Sequence, residues 1–201
     1  LVTIGSGEKQ VSIGEENVLF RHEEKFYNPT GVAITLSDDL DDEAFNQRLK
    51  KINALKFTRV GTEIEIDLIA LLNKSGDASK FAERAKSVSD NTHLSIILES
   101  KSADNMKAAL ETCADKKPLI YGADAENWEA MATIAKEKNC PMTISATTLE
   151  ELADLTEKIK GAGVTEIVLN QVSESTKEIL QGLTKIRRAA LKKAFRQLGF
   201  P

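Results

Sequence analysis

Three polar residues at the ends of short apolar runs are the candidates for ligand chemistry in this sequence: Asp38, Glu99 and Asn170. Carboxyl and carboxamide groups hydrogen-bond to small ligands, and a carboxyl group can also transfer a proton. The sequence has no carboxylate pair at a fixed spacing, no Gly-x-Gly-x-x-Gly after its first apolar run and no GxxxxGK[ST] segment. Asp38 has a second interpretation, as a residue that only precedes or caps a helix. We therefore predict ligand binding at these three residues and assign no catalytic residue.

The histidines and cysteines predict no metal site. His22 and His93 are the two histidines, and they are too far apart to form an HxH or HxxxH pair. His93 precedes an apolar run, whereas a catalytic triad on such a fold would need a histidine after one. Cys113 and Cys140 are too far apart for CxxC chemistry and too few for an iron–sulfur cluster. We interpret them as buried thiols of a reduced, cytoplasmic protein.

Composition places the chain among soluble globular proteins. It has 201 residues, of which 41% are hydrophobic and 29% charged. No apolar run approaches the roughly 18 residues that a membrane helix needs, and the first residues lack the basic start and long apolar centre of a signal peptide. Because the chain starts at Leu1 without an initiator methionine, we expect it to be trimmed or excerpted from a longer protein.

Charge is unevenly distributed along the chain. The net charge is −4, yet from Ile179 onward there is no acidic residue. The basic residues of this final segment are Lys185, Arg187, Arg188, Lys192, Lys193 and Arg196. They alternate with apolar residues at helical spacing, so we interpret them as the solvated face of an amphipathic helix. Nucleic-acid binding is the weaker alternative, and steep salt dependence of binding would support it.

The elements that would position the three candidate residues alternate regularly between strands and helices. Strands are predicted at 32–36, 66–72, 94–98, 118–121, 142–145 and 166–169. Helices lie between them, and the first has an apolar stripe at Phe45, Leu49, Ile52 and Leu55. Capping boxes begin helices at Thr148 and Ser175, Asn139 ends the fourth helix, and Gly161 and Gly163 are predicted to end the fifth.

This alternation predicts an α/β fold of the TIM type, a (β/α) barrel with parallel strands. The later strands recur about every 24 residues, which favours a barrel over an open sheet. Six of the eight units fit within 31–201, and a seventh strand would begin at about residue 202. Residues 1–30 would form a short β-hairpin, which covers the N-terminal end of the barrel, and a lead-in segment. The chain is therefore predicted to be a fragment of a longer multidomain protein.

Several stretches together resemble one family of proteins. They are Leu19-Phe20-Arg21-His22-Glu23, Lys25-Phe26-Tyr27, Arg59-Val60-Gly61, Lys117-Pro118-Leu119-Ile120-Tyr121, Lys138-Asn139-Cys140-Pro141, Ile186-Arg187-Arg188, Phe195-Arg196 and Gly199-Phe200-Pro201. In this order they resemble the large (gamma) subunit of the corrinoid/iron–sulfur protein of the acetyl-CoA synthase/CO dehydrogenase system. The archaeal counterpart is the gamma subunit of acetyl-CoA decarbonylase/synthase.

The resemblance implies a methyl carrier made of three parts. These are a four-cysteine [4Fe-4S] domain, a central barrel and a cobalamin-binding domain. The carrier would take a methyl group from a methyl-pterin methyltransferase and deliver it to acetyl-CoA synthase, with a homologous small subunit as its partner. This chain resembles the central barrel alone, so no ligand of the cluster or the corrinoid is carried over to its residues. In the lead-in, Phe20, Phe26 and Tyr27 would pack, while His22 and its charged neighbours would face water or a neighbouring subunit.

A rival interpretation is a free-standing barrel enzyme that uses Asp38, Glu99 and Asn170 on a small or pterin-like substrate. One departure weakens it. Barrels of this kind often have Asp-Pro-Gly after the sixth strand, where this chain has Asn170-Gln171-Val172. We therefore favour a scaffold that docks partner proteins over a catalyst.

Overall fold

The structure, a computed structural model, describes residues 1–15 and 28–201. The expected packing of Phe20, Phe26 and Tyr27, and the expected exposure of His22, lie outside the described residues. The strands are β1 (Val2–Ile4), β2 (Val11–Ile13), β3 (Ala33–Ser37), β4 (Lys56–Arg59), β5 (Thr62–Glu65), β6 (Leu68–Leu72), β7 (Ser95–Glu99), β8 (Leu119–Ala123), β9 (Met142–Ala146) and β10 (Ile167–Gln171). The helices are α1 (Asp42–Asn53), α2 (Ala78–Asn91), α3 (Ala103–Cys113), α4 (Trp128–Lys138), α5 (Leu149–Ala162) and α6 (Thr176–Lys192).

Six parallel strands form one sheet, in the order β3, β6, β7, β8, β9, β10. Each strand pairs with the next in chain order, and a helix connects each pair, which is the topology of a TIM-type barrel. The predicted fold class and all six predicted strands of the sheet are confirmed. β3 and β10 form the two edges of this sheet.

The sheet buries apolar side chains on both of its faces. In β7, Ile96 and Leu98 pack in the large core between the sheet and the helices, while Ile97 packs on the inner side. Successive side chains of a strand point to opposite faces, so Glu99 points to the same side as Ile97. This alternation directs the last residue of β7 into the interior of the barrel.

The hairpin of β1 and β2 lies against the N-terminal ends of the barrel strands. Val2 and Ile4 pack with Leu68 and Leu119 in a small inner core. The Gly5 backbone N–H donates to the carbonyl oxygen of Lys117 at 2.9 Å. The hairpin thus occupies the place that the sequence predicted for it.

Residues 56–65 depart from the prediction. The first helix was expected to include Leu55, but α1 ends at Asn53 and a second antiparallel hairpin, β4–β5, follows. Val60 and Gly61 form its turn, with φ of 50° and 77°. Two central residues with positive φ are typical of a tight hairpin turn, which ends the helical pattern here.

Helix ends were predicted partly correctly. Thr148 caps α5 by accepting from the Glu151 N–H, and Asn139 and Gly163 end their helices in the left-handed conformation. Gly161 does not end α5, which continues to Ala162. The prediction of a capping box at Ser175 was wrong, because the side chain of Ser175 makes no capping hydrogen bond to α6. A Ser173 hydroxyl donates to Glu178 Oε2 at 2.6 Å instead, which leaves that carboxylate engaged elsewhere.

The basic final segment is helical, as predicted, but it is only partly buried. Ile186 is buried, whereas Leu180 and Leu183 are exposed on α6 beside the edge strand β10. The carbonyl oxygen of Pro201 accepts from the Leu169 N–H at 2.7 Å, so the last residues run along the edge of β10. No helix among the described residues has the length and apolar character needed to cross a membrane.

Candidate functional site

Four polar residues form a continuous row across the C-terminal ends of β7, β8, β9 and β10. Glu99 stands opposite Tyr121, and Ser145 stands opposite Asn170, in the strand register. Asn170 Nδ2 donates to Tyr121 Oη at 2.8 Å and to Ser145 Oγ at 3.0 Å, which joins the row across three strands. We call these four residues the polar row.

A cavity of about 910 Å³ opens at the C-terminal ends of the strands, and the polar row lines it. Leu72, Gly122, Ala146 and Val172 contribute further wall residues from successive strands or the loops after them. In (β/α) barrels this end of the strands carries ligand sites, because eight loops of independent sequence converge there. The cavity is large enough for a small organic molecule.

Glu99 and Tyr121 are the titratable residues of the polar row, and the side chain of Glu99 is the more available to bind a ligand. Burial raises the pKa of its carboxyl group, and no hydrogen bond or ion pair with a described residue opposes this shift. Burial also raises the pKa of Tyr121, the negative charge of Glu99 adds to the effect, and a hydrogen bond with Ser145 works against it. Glu99 is therefore a partly buried acceptor without a partner among the described residues.

Replacing Glu99 with glutamine is expected to remove one component of the pH dependence of stability. Because its pKa is raised on folding, Glu99 contributes stability below the ordinary glutamate pKa and loses it as pH rises through the raised value. The Glu99→Gln variant should therefore gain midpoint temperature over the wild type as pH rises from about 4 to 8. Thermal unfolding of both proteins across this range measures the effect, and a pH-independent difference would contradict it.

Asp38 has a structural role and does not line the cavity. Its side chain is fully buried at the end of β3. Oδ1 accepts from the backbone N–H groups of Lys74 and Ser75, both at 2.8 Å. Oδ2 accepts from Asn73 Nδ2 at 2.8 Å and from Ser75 Oγ at 2.6 Å. All of its acceptor capacity holds the loop between β6 and α2, so the structure does not bring it together with Glu99 and Asn170.

Sequence reasoning missed Tyr121 and Ser145. Both were the last residues of predicted strands, whereas Glu99 and Asn170 were the first residues after predicted strands. The sequence did contain a signal for them. Once parallel strands pair in register, the last inward-pointing residue of each strand lies at the same level, and these residues form one layer. Tyr121 and Ser145 were overlooked because the candidates were taken from the residues that follow each predicted strand, and these two lay just inside their strands.

The two cysteines are buried, as predicted. Burial raises the pKa of Cys113 to about 12 and that of Cys140 to about 11. Both thiols are therefore protonated at neutral pH and lack the reactivity of a thiolate. Among the described residues, no group of three or more histidine, cysteine or acidic side chains could hold a metal ion.

Comparison with known families decides the relationship of this chain. The sequence model of the CO dehydrogenase/acetyl-CoA synthase delta subunit family matches residues 1–201. The chain belongs to this family. Relatives of the chain are named as large or gamma subunits, so the resemblance drawn from the sequence is confirmed.

Two relatives match along the whole of this chain. The corrinoid/iron–sulfur protein large subunit of Moorella thermoacetica is 40% identical over 200 residues, which is 100% of this chain and 45% of the relative. The acetyl-CoA decarbonylase/synthase complex subunit gamma of Methanothermobacter thermautotrophicus is 37% identical over 204 residues, or 100% of this chain and 44% of the relative. The chain thus spans less than half the length of these proteins.

A solved structure of low sequence identity shares the fold. The 7,8-dihydropteroate synthase of Vibrio fischeri ES114 superposes with a TM-score of 0.63 at 14% identity, over 100% of this chain and 76% of that one. At this identity the likeness concerns the fold alone. The likeness supports the TIM-type architecture of this chain.

Proposed function

We propose that the chain is the central barrel of a corrinoid/iron–sulfur methyl carrier and acts there as a scaffold that docks partner proteins. The carrier would accept a methyl group from a methyl-pterin methyltransferase and deliver it to acetyl-CoA synthase in the cytoplasm. The match of this whole chain to 45% of the large subunit of Moorella thermoacetica carries this proposal. Residues 1–30 would form the hairpin and lead-in, and 31–201 the barrel.

The described residues do not fit the cofactors that the relatives' names imply. A [4Fe-4S] cluster needs four thiolates, and Cys113 and Cys140 are two protonated thiols in the core. His93 is exposed at the N-terminal end of β7, at the opposite end of the strand from the cavity. We therefore place both cofactors in other parts of the full-length protein and derive no step through them.

The β4–β5 hairpin offers a surface for docking the small subunit. Phe57 and Ile64 stand opposite each other on one face, and Phe57 is 58% exposed. Val60 at the turn is 98% exposed. Neighbouring exposed apolar side chains are typical of protein–protein interfaces, and aromatic residues often dominate the binding energy. The hairpin lies outside the regular strand–helix alternation, so the barrel topology does not require it.

Replacing Phe57 with alanine is expected to weaken binding of the small subunit at least tenfold. An exposed side chain contributes little to folding, so the free energy of unfolding should change by less than about 0.5 kcal/mol. Titration calorimetry with the purified small subunit of a corrinoid/iron–sulfur protein measures the dissociation constant. Thr58→Ala truncates the opposite face of the same strand and is the matched control. Equal affinities of both variants and the wild type would refute docking through this hairpin.

A barrel enzyme acting on a small or pterin-like substrate is the second candidate, because the cavity of about 910 Å³ lies where barrel enzymes bind substrates. The two proposals separate in a binding experiment with the chain alone. Saturable uptake of a methyl-pterin, followed by its conversion, would support the enzyme. Tight association with the small subunit without conversion would support the scaffold.

A further inference from the structure

The charges around the cavity favour a cationic ligand over an anionic one. Four carboxylates and two lysines line it: Glu99, Asp124, Glu126, Glu151, Lys74 and Lys101. Lys101 Nζ lies 3.3 Å from Asp124 Oδ2, and Lys74 Nζ lies 3.4 Å from Asp39 Oδ2. Both lysines are therefore neutralised by carboxylates at the rim. An anion entering the cavity would meet net negative charge, whereas a cation would be attracted.

The polar row presents acceptors to the cavity. Asn170 uses its Nδ2 group on Tyr121 and Ser145, so its Oδ1 atom is left to accept a hydrogen bond, with no donor to it among the described residues. The carboxylate of Glu99 has no partner of this kind either. Tyr121 lies between them and contributes an aromatic ring, which interacts favourably with a planar cation.

We propose that the cavity binds a planar cation of the amidine or guanidine class, with its N–H groups paired to the carboxylate of Glu99 and its plane against Tyr121. Two parallel N–H groups match the two oxygens of a carboxylate, which is the geometry of the strongest hydrogen-bonded ion pairs in proteins. Glu99 and Asn170 mark the two ends of the row, so a ligand longer than the amidine group also reaches an acceptor beyond Tyr121. This inference stands apart from the docking role, which involves a different surface.

Benzamidine is the probe that tests this binding, with benzoate as a control of the same shape and opposite charge. Titration of the chain followed by NMR should give a dissociation constant of about 1 mM or tighter for benzamidine. Benzoate should bind at least tenfold more weakly. Comparable affinity for the two compounds would overturn the proposal.

Two variants assign the binding to Glu99. Glu99→Gln should weaken benzamidine binding at least tenfold, since it removes a charged hydrogen-bond partner. Glu129→Gln, which removes the same charge from the exposed first turn of α4, should leave the affinity within twofold. Unchanged binding by Glu99→Gln would overturn the proposal. Should that variant not fold, contacts between benzamidine protons and the Tyr121 ring in the wild type decide, and their absence at saturation would also overturn it.

Discussion

Replacing Gly122 with alanine is expected to lower the free energy of unfolding by about 3–5 kcal/mol. Gly122 lies in β8 with φ of +128°, a conformation that residues with a side chain rarely adopt. A Cβ atom there would lie 2.2 Å from the carbonyl oxygen of Ser100 and 2.8 Å from its carbonyl carbon. Both are backbone atoms of the loop after β7, so they cannot move without displacing that loop and the cavity wall.

Gly61→Ala is the matched control for this substitution. Gly61 also has a positive φ, of +77°, but a Cβ atom there would meet nothing within 4 Å. It should therefore show only the cost of the left-handed conformation, about 1–2 kcal/mol. Urea unfolding of both variants separates the two contributions. Equal losses of stability would contradict the clash with Ser100.

Replacing Asp38 with alanine is expected to cost about 3–5 kcal/mol of stability. The change leaves the donors of Asn73, Lys74 and Ser75 without their acceptor. The destabilisation should extend to the loop after β7, because Asn73 Oδ1 in turn accepts from Ser100 Oγ at 3.0 Å and from Asn105 Nδ2 at 2.7 Å. Thus one buried carboxylate organises the loops that form one side of the cavity.

Asp39→Ala tests whether the effect belongs to the buried carboxylate. Asp39 is the adjacent residue and also accepts a hydrogen bond, from Ser37 Oγ at 2.6 Å, but at the surface. Its truncation should change the unfolding midpoint far less than that of Asp38. Amide hydrogen exchange adds a local readout, since protection of Lys74 and Ser75 should be lost only in Asp38→Ala. A similar loss in both variants would assign the stability to general surface charge instead.

The barrel could be predicted from the sequence because the pattern of apolar residues that specifies it is local and periodic. Apolar runs such as 94–98 and 142–145 are followed by helical stripes at nearly constant spacing, and parallel pairing then follows from the connections. The β4–β5 hairpin was not predictable in the same way. Leu55 continues the spacing of the first helix, and only the positive φ of Val60 and Gly61 shows where the chain reverses.

The cavity could be predicted in part. Glu99 and Asn170 were found because a polar residue at the end of a buried strand points to the C-terminal face of the barrel. The structural role of Asp38 could not be found, since its four donors come from a loop about 35 residues later in the chain. The link from Asn170 to Tyr121 likewise depends on strand register and curvature, which sequence spacing alone does not give.

The intact mass of the native polypeptide, purified from its own cells, tests the central proposal most directly. A scaffold barrel within a multidomain methyl carrier predicts a mass well above the 22.0 kDa of this chain, together with corrinoid and iron in the purified protein. The excess mass would hold the domains that bind both cofactors. A native mass of 22.0 kDa without corrinoid would contradict the carrier and leave the cavity at the C-terminal face as the site of function.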